Sequence, residues 1–171
     1  MPHRACRFRH VSHHRGFSLL ELLIVLVIFA IMASIAVPSF QSLRQHQQLT
    51  DASNALVAAL RLARGEAIMR EDEVTLSAVE DGGWAQGWRI EGGGDSNNPI
   101  AVHQPLPAQL SVGDKNARSQ IVFGSLGYPK DGEAASWQLR LSGDSRWICL
   151  KVTGRAYVAE SGKTCNEESG E

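Results

Sequence analysis

One stretch limits this chain more than any other. From Phe17 to Phe40, 24 residues carry a single charge, Glu21. At about 1.5 Å of rise per residue, a helix of that length crosses a ~30 Å hydrocarbon core. The residues before it, 1–16, hold Arg4, Arg7, Arg9 and Arg15 and no acid. That asymmetry predicts a single-pass protein with a cytoplasmic N-terminus and most of the chain outside the cytoplasm. An ordinary secretory signal has a shorter apolar core and a small-x-small cleavage site. Ala30-Ile31-Met32 and Ala33-Ser34-Ile35 match that site weakly, and a plain signal anchor is the simpler alternative. Neither accounts for Glu21. A lone carboxylate inside an apolar helix is costly and is kept for a partner. The helix dipole helps it near the helix start, and a neighbouring chain's free amino terminus would help it more.

The run Gly16-Phe17-Ser18-Leu19-Leu20-Glu21-Leu22-Leu23-Ile24-Val25-Leu26-Val27-Ile28 resembles the class III signal of type IV pilins and type II secretion pseudopilins. The resemblance implies a basic leader, residues 1–16, cut between Gly16 and Phe17 by a membrane aspartyl peptidase, the prepilin peptidase. It implies N-methylation of Phe17 and an assembly salt bridge from Glu21 to the amino terminus of the next subunit. Pro38 matches the proline that kinks the pilin helix. Loss of the leader would remove Cys6 and the cluster His10, His13 and His14, which then needs no reading as a metal site.

Beyond residue 16 the chain carries 13 Lys and Arg against 18 Asp and Glu, which argues against a generally nucleic-acid-coating protein. Gln41 to Arg70 is rich in helix formers. Ala52, Leu56, Ala59, Leu60, Ala63 and Ala67 fall on one stripe with Arg61 opposite, so residues 17–40 and 41–70 form one long helix with an apolar and then an amphipathic half. After residue 71 the period becomes two. Strands are expected around Val74–Ala78, Trp88–Ile90, Ile100–His103, Leu110–Val112, Ile121–Phe123, Trp137–Leu141, Trp147–Val152 and Ala156–Val158. Sixteen Gly and six Pro suit the many turns such a head needs, Asp81-Gly82-Gly83 and residues 92–98 among them. The fold class is α+β: a long helix packed on an antiparallel sheet in a head spanning 71–171. The four Trp are expected as core or sheet-packing aromatics.

With Cys6 gone, Cys149 and Cys165 make an even pair, suited to a disulfide in an oxidising compartment. Several later segments resemble the GspH/FimT branch of minor pilins and pseudopilins: Ala63-Arg64-Gly65-Glu66-Ala67, Gly87-Trp88-Arg89-Ile90, Ile121-Val122-Phe123 with Gly124 and Gly127, and Cys149, Gly154-Arg155, Cys165. The branch implies a minor type IV pilin, a structural subunit that helps to initiate pilus assembly and supports adhesion and twitching motility. Its partners would be other major and minor pilins and the inner-membrane assembly platform. The alternative is the H-type minor pseudopilin of a type II secretion system. A second alternative is a DNA-binding minor pilin of natural transformation, with Arg155, Lys151 and Tyr157 as contacts and Arg146 and Lys163 nearby. There the resemblance implies Gly-Arg-x-Arg, whereas this chain reads Gly154-Arg155-Ala156-Tyr157, and the second cation is missing. Arg155 then reads as a turn or strand residue held by local hydrogen bonds. No enzyme activity, cofactor or metal is expected: only His46 and His103 survive processing, and the acids show no metal-ligand spacing.

Overall fold

The computed structural model describes residues 18–79, 83–95, 97–114, 118–160 and 162–166, with Ala36 and Pro38 described for backbone alone. Gly16, Phe17, the Asp81-Gly82 step and the acids at 167, 168 and 171 lie outside them. The chain divides into two compact units, Met1–Gln41 and Ser42–Glu171.

In the first unit, helix α1 (Leu19–Arg70) begins. It passes through Pro38 rather than ending there. Leu22, Leu23, Leu26, Val27, Phe29, Ile31 and Ile35 are all exposed, as an unpartnered lipid- or helix-facing surface must be.

In the second unit, the rest of α1 buries Leu49, Ala52, Leu56, Leu60, Ala63 and Ala67 along one face. Each leucine so buried stabilises by about 2 kcal/mol. Ser53 is buried too, and its hydroxyl donates back to Leu49 O at 2.7 Å. The helix stops at Glu71, which takes a left-handed φ of 54°, and Asp72 N–H then donates to Ala67 O.

Eight strands follow: β1 (Val74–Ala78), β2 (Trp88–Gly92), β3 (Ala101–His103), β4 (Ser111–Asp114), β5 (Gln120–Phe123), β6 (Ala135–Leu141), β7 (Asp144–Leu150) and β8 (Ala156–Val158). All eight expected strands are present, shifted by a few residues at their ends. A 3-10 turn at Trp84–Gln86 was not expected. The single sheet of the sequence reading is corrected to two four-stranded antiparallel sheets, ordered β3-β2-β1-β5 and β4-β6-β7-β8. Their inner faces and the α1 stripe form one buried cluster that includes Leu76, Ile90, Phe123, Trp137, Leu139 and Ile148. Trp84, Trp88 and Trp137 are buried, and Trp84 meets Trp137 edge-on at 5.4 Å between centroids. The β6–β7 hairpin turns on Ser142-Gly143, both with positive φ, as a two-residue hairpin loop requires.

One arginine fastens the loops between the sheets. Arg118 donates to Asp131 at 2.9 Å and to Glu133 at 2.6 Å, while its backbone N–H meets Asp114 at 2.8 Å and its carbonyl accepts the Trp84 indole N–H.

Candidate assembly and binding sites

Glu21 sits in the first turn of α1 among exposed leucines. Its carboxylate is placed where the partial positive charge of the helix start favours an anion. The cleavage pair Gly16 and Phe17 lies outside the described residues.

The C-terminal signature is built around β7 and β8. Cys149 and Cys165 form a disulfide with Cα atoms 5.6 Å apart, closing a loop across 16 positions. It pins the tail to β7. Replacing both cysteines by serine is expected to lower stability by about 3 kcal/mol, readable as a fall in the denaturation midpoint of the oxidised protein.

Between β7 and β8 runs a tight turn, 151–155. Lys151 N–H donates to Arg155 O at 3.0 Å, and Gly154 N–H to Lys151 O at 2.8 Å. It meets a second tight turn, 124–128, closed by Gly124 N–H to Tyr128 O at 3.0 Å and Gly127 N–H to Gly124 O at 2.8 Å. Gly127 and Gly154 both have φ of 76°. A Cβ on Gly154 would penetrate the Gly127 carbonyl oxygen, and one on either glycine would stand 3.1 Å from Arg64 Nε. The glycine of the Gly-Arg signature is thus required by the crossing of two turns over α1. Gly87 has the same logic: at φ of 96°, its Cβ would collide with the His103 carbonyl oxygen. That explains the Gly87-Trp88 pair, and His103 in turn stacks on Trp88 at 4.1 Å.

Three of the residues expected around the turn do converge. Lys151 Nζ lies 5.6 Å from the centre of the Tyr157 ring, and the Arg155 guanidinium 5.9 Å from it. The Arg155 side chain rests over an aromatic face, while its backbone carbonyl closes the turn by accepting from Lys151 N–H, as expected of a turn residue held locally. Two other expected cations are engaged elsewhere. Arg146 shares a 3.2 Å contact with His46 Nε2, and Lys163 pairs with Glu160, whose carboxyl it holds below the ordinary carboxylate range. Arg61 does not face away from the head: its Nε and Nη2 donate to Ala156 O at 3.3 and 3.1 Å. An arginine on the flank of a buried stripe is long enough to curl back onto a strand edge. Leu126, Tyr128 and Val152, all exposed on the two turns, were not singled out from sequence because no local pattern marks them.

An apolar helix with one acid in its first turn, followed by an α+β head with a tied-down tail, defines the pilin-like class of protein. Residues 52–154 match the family described as Type II transport protein GspH, and residues 11–37 match the prokaryotic N-terminal methylation motif. The chain belongs to the GspH family. It is 34% identical over 101 residues to a fimbrial protein of Pseudomonas aeruginosa, a match covering 56% of this chain and 65% of that one. This chain therefore spans just under two thirds of that relative's length. It is 24% identical over 159 residues to a fimbrial protein of Neisseria meningitidis, covering 90% of this chain and 81% of that one. The fold resembles the type IV minor pilin FimU of Pseudomonas aeruginosa, with TM-score 0.63 and 23% identity over 69% of this chain and 92% of that one. It also resembles the minor pseudopilin EpsH of Vibrio cholerae, with TM-score 0.53 and 11% identity over 68% of this chain and 99% of that one.

Proposed function

We propose that this chain is a minor type IV pilin that helps to initiate filament assembly and so supports attachment and twitching motility. The observation that carries the reading is the methylation motif over residues 11–37, which runs into an apolar helix joined to a pilin-like head. On this reading the basic leader stays in the cytoplasm and the head lies in the periplasm. The prepilin peptidase cuts after Gly16 and methylates Phe17. The inner-membrane platform then withdraws the helix from the bilayer into the filament, where Glu21 neutralises a neighbour's amino terminus. The chain has no catalytic task of its own.

The second reading is a minor pseudopilin of a type II secretion system, favoured by the description of the matching family and by the likeness to EpsH. Processing and fold would be the same, and the partners would differ. Mass spectrometry of filaments sheared from cells separates the two. A minor pilin yields peptides of this chain at low stoichiometry, beginning at methylated Phe17. A processed chain absent from sheared filaments and retained in the envelope favours the pseudopilin.

A further inference from the structure

The crossing of the two turns carries a surface that neither the disulfide nor the helix explains. Ile68 of α1 packs under Gly127: a Cβ there would stand 2.6 Å from Ile68 Cδ1. Yet Ile68 remains 46% exposed, as do Leu126 at 75% and Tyr128 at 51% on either side of Gly127 and Val152 at 51% on the crossing turn. Exposed apolar side chains on crossing turns mark an interaction site more often than ones scattered singly. On the two turns the charge has one sign, while α1 carries Glu71 three residues beyond Ile68. Residues 124–128 and 151–155 contain Lys151 and Arg155 and no acid. Among the described residues neither cation pairs with a carboxylate, and both lie against Tyr157. Beneath them Arg64 Nε is buried without a hydrogen-bond partner among the described residues.

We infer that this face, Ile68, Leu126, Tyr128 and Val152 edged by Lys151 and Arg155, docks a different filament subunit whose facing surface is apolar and bordered by Asp or Glu. The inference rests on the filament reading above. Tyr and Arg beside exposed aliphatics are residue types that protein interfaces favour. A second copy is a poor occupant, because a twofold contact through this face would set Lys151 and Arg155 against themselves. Phosphate would satisfy the cations but leave the aliphatic centre in water.

The test places a photo-reactive residue at Leu126 in the full chain, in cells that assemble filaments. The expected product joins this chain to another processed pilin-type subunit, identified by mass spectrometry. Lys151→Glu with Arg155→Glu should reduce that product about tenfold, and so should Val152→Ser, while Arg155→Lys preserves it. Each variant is compared at equal abundance with the Cys149–Cys165 bond intact, so that misfolding is not counted. A chain found in sheared filaments without the cross-link overturns the inference and leaves the filament reading standing. Absence of the processed chain from both pilus and pseudopilus overturns both. A product made of two copies of this chain, a product indifferent to charge reversal, or one displaced by duplex DNA also overturns it.

Discussion

Gly154→Ala is expected to cost the head about 2–5 kcal/mol, combining a left-handed backbone on a residue with a Cβ and an overpacked contact. The Cβ has nowhere to go: the Gly127 carbonyl and Arg64 Nε hold the space from two sides. Moving the 151–155 turn away would carry the start of β8 off the Arg61 guanidinium, which donates to Ala156 O. The measurement is the thermal midpoint of the processed protein in detergent, followed by tryptophan fluorescence. All four Trp lie between residues 84 and 147, so the signal reports on the head alone. A fall on the order of 10 °C is expected. Gly132→Ala is the comparison, because Gly132 also has a positive φ, 69°, but nothing stands within 4 Å of its Cβ. That variant should lose only about 1–2 kcal/mol. Equal losses would show that the backbone conformation matters and the crossing of the turns does not.

Glu21→Ala is expected to be cut after Gly16 as the wild type is, and to enter filaments more than tenfold less well. Removing one partner of a buried ion pair costs about 3–5 kcal/mol, because the other charge is stranded in an apolar surround. In the filament the stranded charge would be the amino terminus of the next subunit. Before assembly no partner is lost, since Glu21 meets the amino terminus of another subunit only in the filament. The leader-processing ratio and the amount of chain in sheared filaments are read from the same cells. Glu21→Gln separates charge from bulk and should fail almost as badly. Normal incorporation of either variant would remove the salt bridge from the mechanism.

The helix was legible because its signals are local. Ala52, Leu56, Ala63 and Ala67 repeat at helical spacing, and every one is buried. The strands were legible for the same reason: Val74, Leu76 and, on β6, Trp137, Leu139 and Leu141 alternate with polar residues. What escaped was everything set by distant partners. Ser111–Asp114 and Gln120–Phe123 look alike as strands, yet the first pairs with β6 and the second with β1. Nothing in either segment states that choice. Gly127 and Gly154 each stood out as part of a resemblance, but their contact joins turns 27 residues apart. Arg61 was misjudged because helical spacing places a Cβ and says little about where a long side chain ends.

The division of the strands also governs how the head can be taken apart. Because β4 joins the later strands and β5 returns to the earlier ones, every single cut between β3 and β6 leaves at least one strand with the wrong fragment. A break before β5 deprives the first sheet of its edge, and a break after it deprives the second of β4. The two sheets are lock-stitched, so neither is a module that evolution or an engineer can lift out, exchange or express alone. New specificity must be written into the turns, which can lengthen without pulling the thread.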